Sequence, residues 1–219
     1  MKSFTDLVLS TFLLEQETHN SLLLLDIDGT LVHAKNIFID KIFPDGKKEK
    51  ISPENYAKEN VKAEKAKGIK YDFDEFRDPE ILAKSIKTGI PIVPNLQIMD
   101  SYIKNGWKIG ILTARGFEDV IANTMKEWLH FKDEKGNLQN VGDKLIRNLV
   151  YAINDDNKHY KGEFDFDKKK NVISKLSKEY ERIVFIDDDP KNINAIREWI
   201  KDTGIKNVIV KPAKAIPKK

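Results

Sequence analysis

Short apolar runs recur along the chain, and each one ends at turn-forming or polar residues. They span residues 21–27, 109–112, 149–153, 183–186 and 208–210. Runs of this length without polar alternation are typical of strands that are buried on both faces of a parallel sheet. The pattern therefore predicts five buried strands.

The segments between these runs carry apolar residues at helical spacing, at every third or fourth position. They cover residues 95–104, 117–130, 168–180 and 190–201, and a further helix is predicted over residues 4–16. Strands that alternate with helices of about 10–15 residues form βαβ units, which place helices on the faces of a parallel sheet. The predicted fold class is therefore α/β, with a Rossmann-like three-layer α/β/α core.

One stretch, residues 33–93, interrupts this alternation. It holds nine lysines between Lys41 and Lys70, interleaved with acidic residues that favour a solvated face over a binding patch. A structureless loop of this length is uncommon inside a compact domain. We therefore predict a mainly helical subdomain, with helices near residues 53–67 and 78–87. The predicted division is a core domain of residues 1–32 and 94–219 and an inserted subdomain of residues 33–93.

Composition and charge narrow the classes of function. The 219 residues hold 38 basic and 35 acidic side chains, a net charge of +3 that favours neither nucleic acid nor an anionic membrane as a partner. The absence of cysteine excludes disulfides, thiolate metal sites and a cysteine nucleophile. The purely apolar runs, such as residues 22–25, are far shorter than the roughly 20 residues of a membrane span. We therefore expect a cytoplasmic protein without a membrane partner.

Polar side chains gather where three of the predicted strands end. These side chains are Asp26 and Asp28 after the first strand, Thr113 after the second, and Asp187, Asp188 and Asp189 after the fourth. Ligands of open parallel sheets bind at the carboxyl ends of the strands, so these groups are expected at one edge. Carboxylates this close together repel unless a cation lies among them, and hard oxygen ligands suit Mg²⁺ with a phosphate group. The alternative is that each Asp is a turn former or a helix cap.

Three segments resemble motifs of a known family. Residues 22–32 (LLLLDIDGTLV) are similar to the first motif of the haloacid dehalogenase (HAD) superfamily, residues 111–115 (ILTAR) to its second, and residues 184–188 (VFIDD) to its fourth. The order of the motifs along the chain agrees, and the resemblance extends from residue 20 to about residue 210 apart from the insertion. It implies a HAD core and a Mg²⁺-dependent phosphatase that forms an aspartyl-phosphate.

The resemblance also implies roles for individual residues. Asp26 would be the nucleophile that attacks phosphorus, a form of covalent catalysis that divides one difficult step into two easier ones. Asp28 would protonate the leaving oxygen and then deprotonate the attacking water. Thr113 would donate a hydrogen bond to a phosphoryl oxygen. An acid at position 28 favours phosphoryl chemistry, because the dehalogenases of the family lack one there.

The same resemblance supplies candidate metal and substrate contacts. Mg²⁺ would be bound by Asp26, by the backbone carbonyl of Asp28, and by Asp187 and Asp188. Asp189 is interpreted as a helix cap before Pro190. The candidate substrate-binding residues are Gly29, Thr30, Ala114 and Arg115. An exposed arginine that opens a helix is the alternative for Arg115.

The third motif of the family is a lysine that offsets negative charge, and the chain offers a run of candidates. We favour Lys169, because Val172 and Ile173 follow it at helical spacing. Asp165 precedes it by four positions, a spacing that resembles polynucleotide kinase-phosphatases. Lys170 is the alternative.

The insertion falls where many members of the superfamily carry a cap over the active site. Tyr71, Phe73, Phe76 and Arg77 are candidate substrate contacts, with the cap's own small core as the favoured alternative. The substrate expected is a small phosphate ester or a nucleotide. A phosphatase that acts on nucleic-acid 3′ ends and a catalytically inactive binding protein remain as alternative functions.

Overall fold

The computed structural model of this protein describes residues 20–133 and 135–214. The helix predicted over residues 4–16 lies outside the described residues. The strands are β1 (Ser21–Leu25), β2 (Val32–His33), β3 (Ile39–Ile42), β4 (Lys48–Ile51), β5 (Lys70–Asp72), β6 (Ile90–Pro91), β7 (Lys108–Thr113), β8 (His130–Lys132), β9 (Leu138–Asn140), β10 (Leu145–Ala152), β11 (Arg182–Asp187) and β12 (Val208–Pro212).

Helices occupy most of the segments between the strands. The α-helices are α1 (Pro53–Lys58), α2 (Val61–Ala66), α3 (Pro79–Lys87), α4 (Val93–Lys104), α5 (Glu118–Trp128), α6 (Asp165–Leu176) and α7 (Pro190–Thr203), with 3-10 turns at Asp74–Arg77 and Gly142–Lys144. Within the described ranges, no helix combines the length and the apolar character that crossing a membrane requires.

The five predicted strands form one parallel sheet in the order β10-β7-β1-β11-β12. The α/β fold class predicted from the sequence is therefore confirmed. The central strand β1 pairs Leu25 with Ile186 on one side and with Ile111 on the other. All strands of this sheet run the same way, so the carboxyl ends of β1, β7 and β11 lie side by side.

Alternate residues of β1 point into two separate apolar clusters. Leu23 and Leu25 pack in a cluster that includes residues of α3, α4 and α5, whereas Leu22 and Leu24 pack with residues of α6 and α7. All four leucines are fully buried, and burial of each contributes about 1.5–3 kcal/mol. The two clusters explain why this strand has no polar face.

The insertion contains the predicted helices and, in addition, a small sheet that periodicity did not predict. The first expected helical stretch contains α1 and α2, and the second contains α3. Strands β3, β4 and β5 form an antiparallel sheet in the order β4-β3-β5. Its strands are rich in charge, but Asp40 lies opposite Lys50 and Lys41 lies opposite Glu49. Such opposite-charge pairs stabilise a pair of strands without the apolar alternation by which strands are recognised.

The two ends of the insertion pair with each other, and its last helix packs on the core. Strands β2 and β6 pair with each other, with Val32 opposite Pro91 and His33 opposite Ile90. Helix α3 packs against α5, and its Leu82 and Ile86 are buried in the same cluster as β1. The last helix of the insertion therefore shares the apolar core of the central sheet.

Candidate active site

Asp26 and Asp187 lie side by side at the carboxyl edge of the sheet. The Asp26 amide continues the β1–β11 pairing, donating to the carbonyl of Ile186 at 2.9 Å. Asp187 is the last residue of β11. Both carboxylates are buried, with 6% and 0% of the residue exposed. The sheet register thus places two acidic side chains in a site with little access to water.

Lys169 on α6 lies between these two carboxylates. Its Nζ is 3.0 Å from Asp26 Oδ1 and 2.7 Å from Asp187 Oδ2, and the residue is buried. Val172, Ile173 and Leu176 pack on the sheet from the same helix, and this places Lys169 on the buried face. Lys170 instead pairs with Asp167 at 2.7 Å in a partly exposed position. The structure thus brings Lys169, and not Lys170, to the acidic residues.

Burial and mutual charge set the protonation of this cluster. Burial raises the pKa of Asp26 well above its usual value, and the charges of Asp187, Asp188 and Asp28 act in the same direction. The ammonium of Lys169 opposes this shift. Burial alone would lower the pKa of Lys169, but the charges of Asp187 and Asp26 outweigh it and raise that pKa. Lys169 is therefore a cation that is held among carboxylates.

Asp188 lies next to the loop that follows β1. Thr30 Oγ1 donates to Asp188 Oδ1 at 3.4 Å, and Gly29 has a φ of 71°. A Cβ at position 29 would lie 2.1 Å from Asp188 Oδ2. Although part of Asp188 reaches solvent, desolvation of its carboxyl and the charge of Asp187 raise its pKa to about 7. Glycine at position 29 thus leaves the space that the Asp188 carboxylate occupies.

Three of the predicted ligands could hold a metal ion. Asp26, Asp187 and Asp188 each offer a carboxylate oxygen, and these oxygens lie within 4.8 Å of one another. The donor set consists of oxygen alone, which suits a hard cation such as Mg²⁺. A divalent cation would also relieve the mutual repulsion that raises the pKa values of Asp26 and Asp188. The residues present therefore fit the metal implied by the resemblance.

The end of β7 brings the second motif to the same edge. Thr113 is buried, and its Oγ1 accepts a hydrogen bond from the amide of Arg115 at 3.4 Å. The carbonyl of Ala114 accepts from Asn154 Nδ2 at 2.7 Å. Asn154 Nδ2 also donates to Asp165 Oδ1 at 3.2 Å. Asp165, four positions before Lys169, thus ties the start of α6 to the second motif.

Arg115 pairs with Asp28 through two nitrogens. Nε lies 2.7 Å from Oδ2 and Nη2 lies 2.7 Å from Oδ1. Arg115 is 2% exposed, so the alternative of an exposed arginine that opens a helix is wrong. Because both oxygens of Asp28 face Arg115, its carboxylate is separate from the group of three that could hold a metal.

Several residues that support the site were not predicted from the sequence. Asn192 Nδ2 donates to Asp187 Oδ2 at 3.0 Å, and Asn95 Nδ2 donates to the carbonyl of Thr30 at 2.8 Å. Asn192 stands in the first turn of α7, five positions after Asp187, and this spacing could have indicated it. Asn95 lies 65 positions from Thr30, and no local pattern links the two. Asp189 caps α7 as predicted, accepting from the amide of Lys191 at 2.8 Å.

The aromatic residues of the insertion pack mainly on one another. Tyr56 makes edge contacts with Tyr71 and Phe73 at ring-centroid distances of 5.0 and 5.3 Å, and Phe73 contacts Phe76 at 6.0 Å. This agrees with the favoured interpretation of a small core. Burial and then the nearby charge of Asp165 raise the pKa of Tyr56.

Comparisons with known proteins add one similarity. No protein-family model and no curated protein matches the chain. A solved structure that matches is the HAD domain of the effector protein Lem4 from Legionella pneumophila. It is 14% identical over 91% of this chain and 89% of that chain, with a TM-score of 0.42.

Substitution of Gly29 by alanine is expected to weaken Mg²⁺ binding about 10-fold or more, because the new Cβ displaces the Asp188 carboxylate. Isothermal titration with MgCl₂ measures the effect. Gly204→Ala is a matched control, since Gly204 has a φ of 70° and no atom lies within 4 Å of its added Cβ. Equal Mg²⁺ affinity in both variants and the unaltered protein would contradict the placement of Asp188.

Proposed function

We propose that this protein is a HAD-type phosphatase that hydrolyses a phosphate monoester in a Mg²⁺-dependent reaction. The observation that carries the proposal is the buried group of Asp26, Lys169 and Asp187 at the end of the central strand. The lysine cation and the acidic residues lie at the edge where ligands of parallel sheets bind. Buried ionisable groups whose pKa values are shifted by burial and by specific charge partners are typical of functional sites.

The first half of the proposed reaction forms the covalent intermediate. An Asp26 oxygen attacks phosphorus, forming a P–O bond while the bond from phosphorus to the ester oxygen breaks. Asp28, whose side chain reaches solvent, first takes up a proton on an oxygen lone pair that Arg115 leaves free. It then gives that proton to the leaving oxygen, so the product departs as an alcohol. Lys169 and the Thr113 hydroxyl stabilise the negative charge on the transferring phosphoryl group. The backbone of Gly29, Thr30 and Ala114 would line the phosphoryl site.

The second half regenerates the enzyme. Asp28, now ionised, takes a proton from a water molecule that attacks the phosphorus of the aspartyl-phosphate. The Asp26–phosphorus bond breaks, inorganic phosphate leaves, and Asp26 returns to its carboxylate form. Asp26, Asp187 and Asp188, with the backbone carbonyl of Asp28, would hold Mg²⁺, which supplies charge neutralisation at the phosphoryl oxygens.

The substrate proposed is a small phosphate ester or a nucleotide. The insertion would act as a cap over the site and select this substrate. The contacts of Arg115, which follows β7, with Ser85 and Leu82 of α3 support a position of the insertion beside this edge. Several insertion lysines have carboxylate partners, which argues against a surface that binds a phosphate backbone. These pairs are Lys41 with Glu59 and Glu64, Lys48 with Asp40, Lys50 with Glu75, and Lys67 with Glu64.

A panel of phosphate monoesters tests the function. Purified protein is incubated with an aryl phosphate, sugar phosphates and nucleoside monophosphates, with MgCl₂ or with EDTA, and the released phosphate is measured. We expect turnover that requires Mg²⁺ on at least one ester. An absence of metal-dependent turnover across the panel would refute the phosphatase and favour a binding protein.

A further inference from the structure

The side chain of Arg115 connects Asp28 to the insertion. Two of its nitrogens donate to the Asp28 carboxylate, and the third, Nη1, donates to Ser85 Oγ at 2.9 Å and to the carbonyl of Leu82 at 3.3 Å. Ser85 and Leu82 belong to α3. We propose that Arg115, oriented by Ser85, is a positioning residue that sets the direction of the Asp28 carboxylate. This inference rests on the proposed function, in which Asp28 transfers the proton.

The hydrogen bonds of Ser85 fix the direction of the arginine. Ser85 is fully buried, and its hydroxyl donates to the Leu82 carbonyl at 2.8 Å. The only hydroxyl proton of Ser85 is used in this bond, so towards Arg115 the oxygen acts as an acceptor. Every nitrogen of the planar guanidinium thus has an acceptor, and four of its five N–H groups are bound, which fixes the orientation of the fork.

Helix α3 provides a rigid support for this contact. Leu82 and Ile86, on either side of Ser85, are fully buried in the core cluster that includes β1. Side chains in a close-packed interior move little, so Ser85 keeps a constant position relative to the sheet. A segment of the insertion thereby takes part in the arrangement of the central site.

The contacts of Arg115 distinguish positioning from direct substrate binding. Its guanidinium is directed at protein acceptors, and only 1% of the side chain is exposed, whereas the Asp28 side chain is 31% exposed. Asp28 is therefore the member of the pair that a ligand can reach. A general acid acts only within hydrogen-bond reach of the oxygen it protonates, so its direction affects the rate.

Two substrates that differ in leaving group separate this role from a general loss of structure. A nitrophenolate leaves from phosphorus with little need of a proton, whereas the alkoxide of glycerol 2-phosphate requires one. We would measure kcat/KM on p-nitrophenyl phosphate and on glycerol 2-phosphate for Arg115→Lys and Ser85→Ala. Arg115→Lys keeps the positive charge and loses the two-nitrogen fork. Ser85→Ala removes one acceptor and leaves the Arg115–Asp28 pair in place.

We expect Arg115→Lys to lower kcat/KM on the alkyl ester at least about 10-fold more than on the aryl ester, since general acids contribute roughly 10²–10⁴-fold. Ser85→Ala shifts the same ratio in the same direction by a smaller factor. Matched controls are Arg147→Lys, at an exposed ion pair with Asp119, and Ser177→Ala, whose hydroxyl bonds the carbonyl of Ser174. Both controls should leave the ratio unchanged.

The outcomes separate the inference from the function on which it rests. Equal losses on the two esters, in both variants, would overturn the positioning role while phosphatase activity stands. If Arg115→Lys does not fold, an unchanged ratio in folded Ser85→Ala overturns it as well. An unaltered protein without turnover on either ester and on the wider panel refutes the proposed function itself, and the inference with it.

Discussion

Replacement of Asp26 by asparagine is expected to abolish turnover while the protein remains folded. The amide cannot form the aspartyl-phosphate, so the loss should be on the order of 10⁴-fold or more, as for other nucleophiles. The two side chains have nearly the same shape, so packing at the end of β1 is preserved. Phosphate release from the best ester of the panel measures the effect.

The stability of this variant follows from the direction of the Asp26 pKa. Burial raises the pKa of Asp26 in the folded protein above its pKa in the unfolded chain. As the pH rises from the unfolded pKa through the folded pKa, Asp26 ionises and the free energy of unfolding falls. Asparagine removes this cost at neutral pH, and Lys169 keeps Asp187 as a partner. We therefore expect a urea midpoint that does not fall.

Asp189→Asn is a matched control for this substitution. It makes the same chemical change at a carboxylate of the same acidic run. Asp189 caps α7 through the amide of Lys191, and asparagine caps helices equally well. Turnover of this variant should stay close to that of the unaltered protein. Substantial turnover in Asp26→Asn would refute Asp26 as the nucleophile.

Replacement of Lys169 by methionine is expected to remove activity and to destabilise the fold. Asp26 and Asp187 would remain buried at the sheet edge without their shared cation. Removal of one partner from a buried ion pair costs about 3–5 kcal/mol, because an uncompensated charge stays behind. Urea unfolding in Mg²⁺-free buffer measures the free energy, and phosphate release measures the activity.

Lys170→Met is the control for this substitution, because it removes a neighbouring lysine of the same helix that does not contact Asp26 or Asp187. Lys170 makes a partly exposed pair with Asp167 within one turn of α6, and such pairs contribute about 0–1 kcal/mol. Both its stability and its activity should remain close to those of the unaltered protein. If instead Lys170→Met loses activity and Lys169→Met retains it, the assignment of the lysine is wrong.

The sheet and the edge that carries the site could be predicted because their signals are local. An uninterrupted run such as residues 21–27 identifies a buried strand, and the acidic residues follow such runs directly. The choice of Lys169 also had a local basis, since Val172, Ile173 and Leu176 mark the buried face of the same helix. In each case, neighbours in sequence contain the information.

Other features depend on contacts between distant segments. Ser85 and Arg115 are 30 positions apart, and nothing near either residue indicates that they meet. The insertion sheet pairs charged strands whose partners become evident only from the register. Arg115 illustrates the difficulty, because the motif predicts that it lies near the site but does not indicate which carboxylate it binds.

The pairing of β2 with β6 has a consequence for how such a protein can diversify. It brings the entry and exit of the insertion next to each other, so a segment of another length can be exchanged there without altering the register of the large sheet. Helix α3 falls outside this freedom, because Leu82 and Ile86 belong to the core. In evolution or in engineering, any graft at this junction must therefore retain the helix that carries Ser85.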